Sequence, residues 1–147
     1  MNLPHYNYFA RNKYQDYEFY SDGPNGRIKK VVTFSKMQDD PLVYNLAFGD
    51  EDPDTGVVSD LAITDNKDTM IILATVANTI NDFCDRYGNH YIFAVGSTAA
   101  RTRLYQMGIS KLLNEISIDF EILGSKDGGL YESQKNVNYD SFFVKRK

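Results

Sequence analysis

The segment from Gly96 to Arg103 carries the residue types best suited to binding an anion. A helix that starts after Gly96 exposes the N–H groups of its first turn, which carry about half a positive charge from the helix dipole. Ser97 or Thr98 is the expected cap, and Gly96 lets the backbone approach a ligand closely. Arg101 and Arg103 add two positive charges. The pattern predicts a ligand site for a phosphate or carboxylate at these five residues.

The two arginines of this segment do not share a helix face. On a regular helix Arg101 and Arg103 point about 200° apart, so one ligand meets both only with help from a loop. Arg101 shares a face with Tyr105 and Gly108, which favours Arg101 over Arg103. The alternative interpretation is an ordinary capped helix with two solvated arginines.

The other polar residues give weaker indications of a binding, metal or catalytic site. Asp60 lies within an apolar stretch and is a possible carboxylate partner for Arg101 or Arg103. The acid-rich turn before it lacks the later glutamate of a calcium-binding loop and is interrupted by Pro53, so no metal site is predicted. No Ser–His–Asp or Cys–His order is recognisable, and no cofactor is predicted.

The composition sets the broad class of the protein. The chain has 147 residues, a net charge of −4, one cysteine and eleven tyrosines, which predicts a single domain with its own core. One cysteine excludes an intramolecular disulfide and a zinc site built from several thiolates. The acidic balance disfavours nucleic acid as a partner. No signal-peptide core and no membrane-spanning run is recognisable, so we expect a cytoplasmic protein without membrane contact.

The first half of the chain predicts an antiparallel meander of four strands. The strands are separated by turn-forming sequences such as SDGPNG and GDEDPDTG. They are expected at Tyr17–Tyr20, Arg27–Phe34, Leu42–Phe48 and Val57–Ile63.

The second half changes to helical periodicity. Apolar residues three and four apart predict a helix from about Asp68 to Tyr87, with Asp65, Asn66 or Asp68 as its cap. A buried central strand follows, and then a second helix that carries Leu104, Met107 and Leu112 inward. Strands are expected at His90–Val95, Ile116–Leu123 and Tyr139–Val144. The fold class is therefore α+β (mixed α/β), a single mixed sheet flanked by helices.

Three blocks of the sequence carry a family resemblance. They are NLAFGD at Asn45–Asp50, LATV at Leu73–Val76 and GSTAARTRLYQMGI at Gly96–Ile109. The chain resembles a family of uncharacterised bacterial proteins, a domain of unknown function, over nearly its whole length. The order of elements also resembles the GNAT acetyltransferase fold. The motif Arg-Leu-Tyr-x-x-Gly-Ile at Arg103–Ile109 resembles the GNAT helix in which a tyrosine serves as general acid, and this resemblance implies Tyr105 as a catalytic candidate.

One departure from the GNAT pattern argues against its reaction. Where GNAT enzymes hold the pyrophosphate of coenzyme A on a glycine-rich turn, this chain has TDNKDTMI, with Asp65 and Asp68 and no glycine. Carboxylates at a helix start repel a pyrophosphate, and side chains block the close backbone approach. Acetyl-CoA chemistry is therefore disfavoured, and the balance leans away from an enzyme.

Three functions remain open from the sequence. The first is a binding or interaction domain that contacts a protein partner, or forms a homo-oligomer, through aromatic N-terminal strands containing Tyr6, Tyr8, Tyr14, Tyr17 and Tyr20. The second is a ligand-binding domain or acyltransferase-like enzyme that holds a phosphate-bearing small molecule at Gly96–Arg103. The third is a nucleic-acid-associated protein or a toxin–antitoxin component.

Overall fold

The computed structural model describes residues 3–59 and 66–147. In these ranges the chain forms nine strands and two helices. The strands are β1 (Tyr8–Arg11), β2 (Asp16–Gly23), β3 (Gly26–Asp39), β4 (Leu42–Glu51), β5 (Val58–Ser59), β6 (Tyr91–Ala94), β7 (Phe120–Lys126), β8 (Gly129–Glu132) and β9 (Ser141–Arg146). The helices are α1 (Thr69–Tyr87) and α2 (Ala99–Asp119). This α+β composition confirms the predicted fold class.

All nine strands belong to one mixed sheet, in the order β1-β2-β3-β4-β6-β9-β7-β8, with β5 paired to the end of β4. The pairing of β4 with β6 is parallel, and α1 lies in the connection between these two strands. The other pairs are antiparallel. The predicted meander is confirmed, because β2, β3, β4 and β5 pair in sequence.

Strand alternation directs one face of the sheet toward both helices. Tyr17 and Phe19 of β2 pack there with Phe34 of β3, and Phe83 of α1 stacks on Phe34 at 4.2 Å between ring centroids. Cys84 of α1 is buried in the same core, as its position on the apolar side of the predicted helix indicates. The core therefore lies between one sheet face and a single helix layer.

The opposite face of the sheet carries a ladder of charges. Arg11, Glu18, Lys29 and Glu51 lie on four successive strands and form ion pairs of 3.7, 3.2 and 2.7 Å. A different pair, Lys30 with Asp50, is buried on the helix side of the sheet. Asp50 and Glu51, the first two acidic residues of the acid-rich sequence GDEDPDTG, therefore lie in β4 and pair with lysines within the sheet.

The structure corrects several predicted boundaries and orientations. Ile116 does not begin a strand, because α2 continues to Asp119 and buries Ile116 one turn after Leu112. Leu104 and Met107 were expected to point inward, but both are exposed. The last strand begins at Ser141 rather than Tyr139.

Two short strands, β1 and β8, were not predicted from the sequence. Each lies at an edge of the sheet and pairs with one neighbour, so its sequence lacks the apolar alternation of a covered strand. Of the predicted strand Val57–Ile63, residues 58–59 form β5, and the rest lies outside the described residues.

Candidate functional site

A cavity of about 350 Å³ lies where β6 ends and α2 begins. The segment that leads into β9 forms its other side. Its lining combines small, polar and charged side chains: Val95, Gly96, Ser97, Thr98, Ala99, Thr102, Arg103, Gln106, Asn138, Tyr139 and Asp140. The structure therefore brings four of the five predicted ligand residues, Gly96, Ser97, Thr98 and Arg103, to one cavity.

Gly96 lets the chain turn tightly between β6 and α2. A Cβ atom at this position would lie 2.5 Å from the Thr102 nitrogen and 2.8 Å from the Arg101 carbonyl carbon. The Gly96 N–H donates to Thr102 Oγ1 at 2.9 Å. Close contact with the first turn of α2 is therefore the reason for glycine at this position in the structure, and the close approach of a ligand stays a prediction.

Thr98 is the N-cap residue of α2, one of the two caps that the sequence offers. Its Oγ1 accepts from the Arg101 N–H at 3.2 Å, and its carbonyl accepts from the Thr102 N–H at 3.0 Å. The N–H groups of Ala99 and Ala100 precede the first intrahelical bond and have no acceptor within the helix. They supply the positive end of the α2 dipole beside the cavity.

Arg103, rather than Arg101, lines the cavity. The Arg101 guanidinium lies back over the cap, with Nη1 at 3.4 Å from Thr98 Oγ1. Asp140 lines the same cavity and contributes a carboxylate. The charged lining is therefore one guanidinium and one carboxylate, to which the α2 dipole adds positive potential.

Gln106 and Tyr139 form a well-bonded floor. The Gln106 side-chain amide donates to the Val137 carbonyl and accepts from the Tyr139 N–H at 3.0 Å, as a neighbouring strand would. The Tyr139 hydroxyl accepts from the Gln134 N–H at 3.0 Å and donates to the Glu132 carbonyl at 3.2 Å. Hydrogen bonds therefore hold both the backbone and the hydroxyl of Tyr139 in place.

Several lining residues have no prediction from the sequence: Gln106, Asn138, Tyr139 and Asp140. One signal was available for Gln106, because it follows Arg103 by three residues and so lies on the same helix face. The other three reach the cavity through the return of the chain into β9, which no local pattern reveals.

Two further predicted site residues lie away from the cavity or outside the description. Tyr105 is half-buried on α2, with its ring centroid 6.4 Å from that of Phe48, and it does not line the cavity. Asp60 lies outside the described residues, so its pairing with Arg101 or Arg103 stays a prediction.

The polar side chain at the start of α1 forms hydrogen bonds to other residues of the protein. Asp68 is the N-cap residue, but its side chain makes no cap bond. Instead its Oδ2 accepts from the Tyr6 hydroxyl at 2.6 Å and from the Ser21 hydroxyl. Burial, together with the bond to Asp68, raises the pKa of Tyr6. A buried carboxylate therefore occupies the place where the sequence disfavours a pyrophosphate.

Asn66 ties the β2–β3 turn to the same helix start. Its Oδ1 accepts from the Asn25 N–H at 2.8 Å, and its Nδ2 donates to the Gly26 carbonyl at 2.8 Å. A Cβ on Gly23 would lie 2.3 Å from the Asn66 carbonyl oxygen. Asn66 was predicted as a helix cap and acts instead as a clamp on the hairpin turn.

Three of the five N-terminal tyrosines are used within the protein. Tyr17 is fully buried, Tyr6 bonds to Asp68, and the Tyr8 hydroxyl donates to Asp82 at 2.6 Å. Burial is also the main cause that raises the pKa of Tyr8 and Tyr17 well above the usual value.

The other two tyrosines lie beneath arginines. The guanidinium carbons of Arg86 and Arg27 each lie 4.1 Å from a ring centroid, that of Tyr14 and that of Tyr20 respectively. The aromatic surface predicted for a partner is therefore much smaller than the tyrosine count indicates.

Neither a metal-binding cluster of acidic, histidine and cysteine side chains nor a membrane-spanning helix occurs in residues 3–59 and 66–147. No cluster of three histidine, cysteine, aspartate or glutamate side chains there is placed to hold a metal ion. Neither helix is both long and apolar enough to span a membrane.

Comparison with known proteins gives one match. A family model described as a family of unknown function (DUF6934) matches residues 2–147. No curated protein and no solved structure is significantly similar to the chain.

Proposed function

The chain belongs to a family of unknown function, DUF6934, and from its cavity at the start of α2 we propose that it is a small binding domain for a low-molecular-weight anion. The observation that carries this proposal is the convergence of Arg103 and the α2 N-terminus on one cavity. The favoured ligand carries a phosphate or a carboxylate group, since both accept from backbone N–H groups and from a guanidinium.

The size and lining of the cavity support a small molecule. About 350 Å³ falls at the lower end of the range for ligand sites. The anionic group would accept from the N–H groups of Ala99 and Ala100 and from Arg103. Asp140, on the β9 side, would accept from a donor elsewhere on the same ligand.

The lining supports binding more than catalysis. Among the described residues it contains hydroxyls and one carboxylate, and it contains no histidine, lysine or cysteine. The buried Asp68 carboxylate at the start of α1 further supports binding without acetyl-CoA chemistry. We therefore extend the GNAT resemblance to the order of strands and helices and not to the reaction.

The other functions have less support. A partner surface on the N-terminal strands would rest chiefly on Phe9, which is 61% exposed on the edge strand β1. The net charge of −4 weighs against a nucleic-acid partner, and a toxin–antitoxin role stays a prediction.

Calorimetric titration with inorganic phosphate and with nucleoside monophosphates tests the proposal. We expect saturable binding that Arg103→Ala weakens about ten- to a hundredfold, because a hydrogen bond to a charged group contributes about 1.5–3 kcal/mol. Arg101→Ala is the matched control, since it removes the same charge from the same helix turn outside the cavity. Equal losses in both variants, or no binding of any probe, would refute the proposed site.

A further inference from the structure

Two opposite charges line the cavity at the start of α2. Arg103 lies on α2, Asp140 lies on the segment that leads into β9, and both residues are exposed. Within residues 3–59 and 66–147 these two side chains form no ion pair, either with each other or with a third residue. A ligand in the cavity can therefore contact a guanidinium on one side and a carboxylate on the other.

Gln106 connects the two sides of the cavity. It follows Arg103 by three residues and so lies on the same face of α2. Its side-chain amide accepts from the Tyr139 N–H, immediately before Asp140, at 3.0 Å. The Asp140 N–H in turn donates to the Ser125 carbonyl of β7 at 2.7 Å. Hydrogen bonds therefore tie the backbone that carries Asp140 both to α2 and to the sheet.

Given the proposed anion site, on which this inference rests, we propose that the ligand of the cavity is a small zwitterion. Its anionic group binds at Arg103 and the start of α2, and its ammonium group binds at Asp140. An ammonium carries three donors and a full positive charge, so it bonds to a carboxylate more strongly than a neutral hydroxyl or amide does. Amino acids and phosphorylated amines share this chemistry.

The electrostatics of the cavity favour a zwitterion over a simple anion. The formal charges of Arg103 and Asp140 cancel, and the α2 dipole adds about half a positive charge on the side of Arg103. A phosphate dianion is attracted by Arg103 and repelled by Asp140 in the same cavity. A positive group on the ligand turns that repulsion into attraction, so the two ends of a zwitterion match the two sides of the cavity.

The lining argues against a nucleotide base as the second group of the ligand. Bases bind to proteins largely by stacking on flat side chains. Among the described residues of the lining the one aromatic side chain is Tyr139, which is only 7% exposed. Val95 and Ala99 are exposed and supply contacts for a short carbon chain. A cavity of about 350 Å³ with this lining suits an anionic group and an ammonium joined by a few carbon atoms.

Calorimetric titrations with two matched pairs of probes, at constant pH 7 and ionic strength, test the assignment. The pairs are n-propyl phosphate with phosphoethanolamine, and butyrate with β-alanine. In each pair an ammonium replaces a methyl group of the same chain. We expect the ammonium to strengthen binding about tenfold in at least one pair, as a hydrogen bond to a charged group does. Preference within the phosphate pair identifies a phosphorylated amine, and preference within the carboxylate pair identifies an amino acid.

Asp140→Asn should abolish this preference without weakening the probe that lacks the ammonium. Asp127→Asn is the matched control, because it removes the same charge from the exposed turn between β7 and β8, outside the cavity. Circular dichroism checks that both variants are folded. Equal loss of the preference in the two variants overturns the zwitterion.

The zwitterion and the anion site fail in different ways. If n-propyl phosphate binds and Arg103→Ala weakens it, but neither ammonium probe binds more tightly than its partner, the zwitterion is overturned and the anion site stands. If no probe of either pair binds saturably, the anion site is refuted and the zwitterion with it.

Discussion

Replacing Gly96 with alanine tests how tightly the start of α2 is packed against β6. The new Cβ would lie 2.5 Å from the Thr102 nitrogen, 2.8 Å from the Arg101 carbonyl carbon and 2.8 Å from the Arg101 Cβ. Two of these atoms belong to the helix backbone, so a side-chain rotation cannot relieve the contact. The first turn of α2 must move away from Gly96.

Two effects set the size of the loss. Overpacking in a close-fitting site costs about 1–3 kcal/mol. Displacing the turn also breaks the bond from the Gly96 N–H to Thr102 Oγ1, which adds about 1 kcal/mol. We expect Gly96→Ala to lower the free energy of unfolding by about 2–4 kcal/mol, measured by urea denaturation. Thr102→Val isolates the hydrogen-bond contribution, because it keeps the shape of the side chain and removes the hydroxyl.

Gly56→Ala is the matched control for this prediction. Gly56 has a φ of +73°, and a Cβ there meets no atom within 4 Å, so alanine costs about 1 kcal/mol of backbone strain without a clash. If Gly96→Ala lowers the free energy of unfolding by no more than Gly56→Ala does, the close packing of Gly96 against the start of α2 is refuted. The shape deduced for the cavity would then be wrong as well.

Three other substitutions follow from buried polar contacts. Asn66→Ala removes the hydrogen bonds that Asn66 makes to the β2–β3 turn and should lower the free energy of unfolding by about 2–3 kcal/mol in urea denaturation. A loss below about 0.5 kcal/mol would show that the turn is stable without these bonds. Lys30→Ala leaves Asp50 buried without its cation and should cost about 3–5 kcal/mol, and Lys30→Met with Asp50→Leu should recover most of that loss. The raised pKa values of Tyr8 and Tyr17 mean that the folded state holds these protons more tightly than the unfolded state, so stability should fall as the pH rises above about 10. Tyr8→Phe should reduce that alkaline slope in pH-dependent thermal melts, and an unchanged slope would contradict the assignment.

The sequence predicted the elements that carry strong local signals. The helix over α1 follows from apolar residues three and four apart, and the β2–β3 hairpin follows from the turn residues between Gly23 and Gly26. The segment proposed to bind an anion was recognisable because a strand, a glycine, two hydroxyl residues and a helix occur in succession. Each of these signals acts over fewer than about twenty residues.

The errors arise where distant residues decide the outcome. Leu104 and Met107 are apolar, but α1 and the segment before β9 already cover the other side of α2. The residues buried on that side are Thr102, Gln106, Gly108, Leu112 and Ile116. The choice of Arg103 over Arg101 depends on where Asn138 and Asp140 lie, and those residues come from the far end of the chain. The apolar periodicity of α2 reveals neither what covers its other side nor where Asn138 and Asp140 lie.

The most direct test of the anion site is an NMR titration of the ¹⁵N-labelled protein with inorganic phosphate at constant ionic strength. The proposed anion site predicts saturable shifts of the amide signals of Ala99, Ala100 and Arg103, with the signals at the start of α1 unchanged. Shifts concentrated at Thr69 and Met70, or no saturable shift in the α2 turn, would contradict it.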